Sequence, residues 1–252
     1  MQVVDTAAVV TGGASGLGAA TAAALAERGA SVFVLDLEPA LANAPEVKGV
    51  TYLAADVTDA RSVAAAVATA AGAGAPLRTV VNCAGIGPSA RILGRNGVHD
   101  LAVYAKVVQV NLIGTFTVLA LAAEQIAKTE PDADGQRGVI VNTASVAAYD
   151  GQIGQVAYAS SKGGIVGLTL PAARDLAQYG IRVCTIAPGI IDTPLLATVS
   201  EEFRAGLAAG VPFPKRLGRP DEFAQLAVAI VEHDYLNGEV IRMDGALRMA
   251  PR

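Results

Sequence analysis

Residues 7 to 30, "AAVVTGGASGLGAATAAALAERGA", read as strand, turn and helix in immediate succession. The apolar run ends at Thr11, good helix formers follow Gly18, and Gly29 closes the helix. Gly12, Gly16 and Gly18 stand in the spacing G-x-x-x-G-x-G. Glycines here permit a tight turn and let the backbone approach a pyrophosphate, which a helix N-terminus attracts. Glycine spacing alone also fits an ordinary strand-to-helix turn. Asp36 separates the two readings. It ends the next apolar stretch, "SVFVLDL" (31 to 37), 18 residues beyond Gly18. That is close to the roughly 20-residue spacing of an acid that binds the adenosine ribose. A carboxylate there repels a 2′-phosphate, and no Arg or Lys lies in the turn. NAD(H) is therefore favoured over NADP(H).

Outward from this unit, short β-branched stretches alternate with helical ones. Strands are predicted at 50–57, 77–85, 137–145, 181–189 and 238–245, and helices at 62–74, about 100–128 and from Gln155 to about Gln178. The alternation predicts an α/β fold: a doubly wound, Rossmann-type parallel sheet with helices on both faces, in one domain spanning 1 to 252. The segment 192 to 220 interrupts it with scattered prolines and apolar side chains, and reads as a lid.

Composition narrows the function classes. The net charge is −4 and charged residues are 17%, so no basic surface points to nucleic acid or anionic membrane. Residues 107 to 123 carry no charge. Gln109, Asn111, Thr115 and Thr117 interrupt this stretch, and it falls short of the roughly 20 residues of a span. It reads as a buried helix. Cys83 and Cys184 have no metal-type spacing, and His99 and His233 read as surface residues, so no metal is expected. With no secretory signal or Arg-rich presequence legible, the expected location is the cytoplasm.

The chemistry-bearing residues lie in the second half. "QVAYASSKGGIVG" (155 to 167) puts Tyr158 and Lys162 one helical turn apart among small neighbours. A free phenol ionises near pH 10. An adjacent ammonium is expected to lower that value and make Tyr158 an acid/base. For an isolated Y-x-x-x-K, an exposed tyrosine beside a solvated lysine is the competing reading; behind a dinucleotide turn it is the weaker one. Ser145 ends a strand where open α/β sheets bind ligands, and is either a substrate-holding hydroxyl or a cap. Asn111, in mid-helix, is costly unless partnered, and is either functional or a satisfied core amide.

Together "TGGASGLG", "NCAG" (82 to 85), "QVNLIGTF" (109 to 116), "NTASVAA" (142 to 148), the Tyr158–Lys162 pair and "APG" (187 to 189) resemble the ordered motifs of the short-chain dehydrogenase/reductase family. The resemblance covers nearly the whole chain. It implies Tyr158 as general acid/base, Lys162 as the phenol-tuning and ribose-holding lysine, Ser145 as substrate-orienting serine and Asn111 as anchor of a proton-relay water. It implies cofactor contacts from Gly12, Ser15, Gly16, Leu17 and Gly18, from Asp36, and from Asp56 and Val57 at adenine. Asn82, Cys83, Ala84 and Gly85 would continue the cradle, with Cys83 in place of a second asparagine. Pro188, Gly189, Ile191 and Thr193 would meet the nicotinamide side.

Within the family, "VPFPKRLG" (211 to 218) and "LNGEVIRMDGALRM" (236 to 249) are similar to a homotetrameric group that oxidises 3-hydroxyacyl-CoA thioesters, steroids and other secondary alcohols with NAD. The segment 86 to 100 departs from it, being shorter and bearing Arg91 and Arg95. The resemblance thus implies an NAD-dependent interconversion of 3-hydroxyacyl-CoA and 3-ketoacyl-CoA, or of another secondary alcohol such as a hydroxysteroid. Gln155, Leu195, Leu196, Phe203, Leu207 and Phe213 would meet the substrate beside Ser145 and Tyr158. A cofactor-bound scaffold is the alternative of another class; a scaffold has no chemical need for Ser145, Tyr158, Lys162 and Asn111 together.

Overall fold

Period-two alternation along the strands sends side chains to two cores. A computed structural model describes residues 1–95, 97–196 and 200–251; the side chains of Leu195 and Phe203 lie outside the described residues. Seven parallel strands form one sheet: β1 (Ala7–Thr11), β2 (Ser31–Asp36), β3 (Val50–Ala54), β4 (Leu77–Asn82), β7 (Gly138–Thr143), β8 (Ile181–Pro188) and β9 (Val240–Met243). Their order is β3-β2-β1-β4-β7-β8-β9, so the chain reverses its winding between β1 and β4. Ligands of open α/β sheets bind at such a switch point, beyond the strands' carboxyl ends.

Ala7 and Val9 face one core with α3 (Ala60–Ala71) and α5 (Thr115–Ile126). Ala8 and Val10 face the other, with α1 (Gly16–Glu27) and α8 (Pro220–Glu232). The predicted doubly wound sheet is therefore present. Of the helices, α8 and the lid's α7 (Glu201–Ala209) were not legible as elements, and α2 (Glu38–Leu41) is a single turn.

The predicted helix at 100–128 is not continuous. It comprises α4 (Leu101–Val108), a π-helical segment at Gln109–Gly114, and α5. Leu101–Ile126 is long and apolar enough to cross a membrane by length and composition. Val118, Leu119, Ala122 and Ile126, however, are buried in the sheet-facing core, as the reading of a buried helix requires. Gly114 is obligatory at the break, since a Cβ there would lie 2.7 Å from Val57.

After β4 the chain forms a small antiparallel hairpin, β5 (Leu93–Gly94) and β6 (Gly97–Val98). The segment 192–220 starts and ends side by side: Ile191 bridges Gly218, and the Asp192 N–H donates to the Gly218 carbonyl. His99 corrects its surface reading. It is buried, its Nδ1 lies 2.7 Å from the Asp100 carbonyl, and its ring stands edge-on to Tyr104.

Candidate active site

The cradle at the switch point is built of backbone. Gly12 has φ +67°, and a Cβ there would lie 2.7 Å from the Ala84 nitrogen; one at Gly18 would lie 2.3 Å from the Gly12 carbonyl oxygen. Any side chain would fill the cradle or push its two turns apart. Thr11 ties those turns together, its hydroxyl accepting from the N–H groups of Cys83 and Ala84, each at 3.2 Å. Thr193 reaches over from the lid, 3.6 Å from where a Cβ on Gly16 would stand. Ser15 and Leu17 flank Gly16 at the start of α1, with Ser15 as the N-cap residue.

Asp36 sits at the end of β2, its carboxylate accepting from Ala14 N–H at 3.0 Å and Leu37 N–H at 2.8 Å. It thereby closes the glycine turn and keeps lone pairs for a ribose. Asp56 is held by the Thr58 N–H and hydroxyl, which keep its carboxyl below the usual range. Val57 is buried against Gly114. Asn82 is buried and donates to Asn142 at 3.0 Å. The Cys83 thiol lies 3.6 Å from the Thr143 hydroxyl, and burial pushes it up to about 11, so it remains a neutral filler. Gly85 brings backbone to Asn111 and Lys162. Pro188 ends β8, the Gly189 N–H donates to the Met243 carbonyl, and Ile191 is buried under the lid base. This sugar-binding acid, phosphate-sized backbone gap and helix N-terminus fit a dinucleotide.

The reacting groups converge beside it. Tyr158 and Lys162 lie on α6 (Val156–Leu176), and Ser145 lies just beyond β7. Ser145 is buried, its hydroxyl accepts the Ala147 N–H at 3.1 Å, and the same side chain stands close enough to the Tyr158 phenol to draw its pKa down. The cap reading of this serine is realised: it caps a short 3-10 turn, and the cap fixes where its hydroxyl stands. Gly87 lies flat on the Tyr158 ring, where a Cβ would be 3.6 Å away.

The expected tuning of Tyr158 by Lys162 is corrected. The ammonium lies 5.8 Å from the phenol ring centroid and donates to the Thr143 carbonyl at 2.7 Å. Burial raises the phenol above its ordinary value, and only the Ser145 hydrogen bond draws it back. Burial also lowers Lys162 to about 8. In one shared apolar pocket, desolvation outweighs the attraction between the two groups.

Asn111, buried in the π-helical segment, is tied down on every side chain atom. Its Nδ2 donates to the Ile86 carbonyl at 2.9 Å and to the Ser161 hydroxyl at 3.0 Å, and its Oδ1 accepts from Ile86 N–H at 2.8 Å. The Thr115 hydroxyl donates to its main-chain carbonyl at 2.7 Å. Ser161 in turn donates to the Tyr158 carbonyl, so Asn111 positions the tyrosine's helix.

A cleft of about 430 Å³ opens between Ala90–Leu93 and Gly151–Val156, with Ala159 of α6 on its wall. Gln155 lines it, and its Oε1 accepts the Gln152 N–H at 3.0 Å, which holds the amide in place. Leu196 and Leu207 are half-buried in the lid, and the Leu195 and Phe203 side chains lie outside the described residues. Phe213 does not exclude water as expected: its N–H donates to the Gly245 carbonyl and the side chain is 81% exposed. Sequence reading missed Thr11, Thr143 and Ser161 as the anchors of this site. They stand inside quoted motifs, yet a small hydroxyl residue carries no spacing signal of its own. Among the described residues no cluster of His, Cys, Asp and Glu could hold a metal.

The chain was compared with known proteins. A family model described as short chain dehydrogenase matches residues 6–203. The chain is 52% identical to 3-hydroxyacyl-CoA dehydrogenase type-2 of Drosophila melanogaster, over 96% of this chain and 97% of that one. It is 52% identical to the Homo sapiens protein of the same name, over 97% and 95%. The crystal structure of 3-hydroxyacyl-CoA dehydrogenase type-2 from Mycobacterium avium superposes with a TM-score of 0.92 at 44% identity, covering 98% of each chain.

Proposed function

The chain belongs to the short-chain dehydrogenase family and is an oxidoreductase; from that premise we propose that it interconverts 3-hydroxyacyl-CoA and 3-ketoacyl-CoA with NAD(H). What supports this reading is the Tyr158 phenol, close enough to Ser145 to be drawn down by it, with Lys162 one turn on and a backbone-walled cradle beside them. Bound NAD supplies a hydride acceptor for the alcohol and, once reduced, a hydride donor for the ketone. The chain's own groups bind, orient and move the proton. Asp36 would hold the adenosine ribose, and Lys162 the nicotinamide ribose. Ser145 orients the substrate oxygen, and Tyr158 exchanges a proton with it. Because burial keeps the phenol protonated, Tyr158 is ready to donate to a ketone at neutral pH; alcohol oxidation gains as the pH rises.

The acyl-CoA preference rests on likeness to the relatives and on a mostly apolar cleft. Exposed Leu101, Tyr104, Ile113 and Phe116 on the α4–α5 run, with Leu170 on α6, support assembly into a homotetramer. Two free cysteines suit a reducing cytoplasm. The test is NADH consumption with acetoacetyl-CoA, beside a ketosteroid and with NADPH as the alternative coenzyme. Turnover of acetoacetyl-CoA with NADH is expected; turnover of the steroid alone would move the reading to a hydroxysteroid dehydrogenase, and NADH binding without turnover of either would move it to a scaffold.

A further inference from the structure

The turn at residues 149–154, part of which walls the 430 Å³ cleft, is fastened from an unexpected place. Residues 149–154 join Ser145 to Tyr158, so the two reacting side chains flank them in sequence. No strand of the main sheet includes them. Their fastening is Arg242 on β9, the edge strand of the sheet, where Arg242 pairs with Ala187 of β8.

The Arg242 Nη2 lies 2.6 Å from one Asp150 oxygen and Nη1 3.4 Å from the other, a forked pair. Its Nε donates to Asp244 at 2.8 Å, and Nη2 also donates to the Leu247 carbonyl at 3.0 Å. The guanidinium carbon stands 5.2 Å from the Tyr149 ring centroid. The side chains of Arg242, Asp150 and Asp244 are 21%, 18% and 7% exposed, so water screens this cluster weakly. The segment after β9 lies along the same turn: Gln152 Nε2 donates to the Ala250 carbonyl at 2.9 Å, and Ile153 N–H to the Pro251 carbonyl at 3.1 Å.

We propose that Arg242 is a positioning residue for substrate: through Asp150 and Tyr149 it sets the 149–154 turn, and with it the cleft wall that the acyl part of the substrate packs against. Arg242 touches neither Ser145 nor Tyr158. Ser145 is held by its own cap and Tyr158 by its helix, so the reacting pair stays in place when the turn shifts. The guanidinium therefore acts on substrate binding and leaves the chemical step and the dinucleotide cradle alone. Lysine cannot reproduce the fork or the stacking, but it keeps one charged bond to Asp150.

This inference rests on reading the site as that of an alcohol dehydrogenase, and the test separates the two. Steady-state kinetics with acetoacetyl-CoA, and NADH affinity by fluorescence, are measured for the wild type, Arg242→Met, Arg242→Lys, Asp150→Asn and the Arg242→Met/Asp150→Asn double variant. Arg242→Met is expected to raise KM about tenfold, with kcat within about threefold and NADH affinity unchanged. Arg242→Lys recovers part of the loss, Asp150→Asn reproduces most of it, and the double variant is no worse than Arg242→Met, because both act through one bond. Should Arg242→Met fail to fold, Arg242→Lys and Asp150→Asn give the same KM-against-kcat reading. An unchanged KM in the folded variants overturns the inference, as does a kcat that falls in step with NADH affinity, or KM increases that multiply in the double variant. If the wild type turns over a simple secondary alcohol but not acetoacetyl-CoA, the acyl-CoA reading fails and the same split is read with that alcohol. A wild type that turns over no alcohol ends both.

Discussion

The glycine turn after β1 and the hairpin after β4 both lead away from the carboxyl ends of neighbouring strands, and they are opposites in crowding. A Cβ on Gly12 or Gly18 would strike backbone at 2.7 Å or 2.3 Å, whereas one on Gly94 or Gly97 would meet nothing within 4 Å. Leu93 and Val98 of the hairpin are 74% and 71% exposed. The same residue type thus marks a wall that admits one shape in the first region and a wall free to adapt in the second. A coenzyme of fixed outline suits the first; substrates of varied length suit the second.

The largest effect falls where the walls meet. Tyr158→Phe is expected to lower kcat about a thousandfold while NADH affinity is retained, since only the proton-bearing oxygen is lost; stopped-flow turnover and a fluorescence titration check both halves. Next, Gly18→Ala is set against Gly94→Ala. The first is expected to cost about 3 kcal/mol in urea unfolding and to abolish NADH binding; the second stays within about 0.5 kcal/mol of the wild type. Equal costs would erase the contrast.

The third prediction uses Lys162, buried at the back of the crowded wall. Its folded value of about 8 lies below its ordinary 10.5, so between them the unfolded chain binds the proton more tightly. The contribution of Lys162 to the stability of the coenzyme-free protein should therefore rise as the pH climbs from 8 toward 10.5, by about 2 kcal/mol, against the opposite trend of the raised Cys83 thiol, and the difference between wild type and Lys162→Met isolates it. Chemical denaturation across that range checks it. Fourth, Asp36→Ala should narrow the preference for NADH over NADPH about tenfold in kcat/KM, sharpening the view that the rigid wall selects the coenzyme. The smallest effect belongs to the open wall: Leu93→Ser should shift the KM for acetoacetyl-CoA about threefold and leave the melting temperature unchanged.

Legibility in the sequence follows the same divide. Gly12, Gly16, Gly18 and Asp36 were readable because backbone clearance and a ribose acid impose residue types at fixed spacings. The strands were readable because alternation between two cores demands β-branched side chains. The π-helical segment at Asn111 was not, because its polar residues declare an interruption without its geometry. The tuning of Tyr158 was misread, since one-turn spacing reports proximity but not the desolvation that acts on phenol and ammonium together. The Arg242–Asp150 pair spans most of the second half of the chain, and no local pattern announces it.

Thr11 carries one last consequence. By clasping both Cys83 and Ala84, its single hydroxyl welds the floors contributed by β1 and β4 into one jaw. Removing that hydroxyl would take an acceptor from two main-chain donors under the cradle, so a single oxygen sets how firmly the two strand ends keep their spacing.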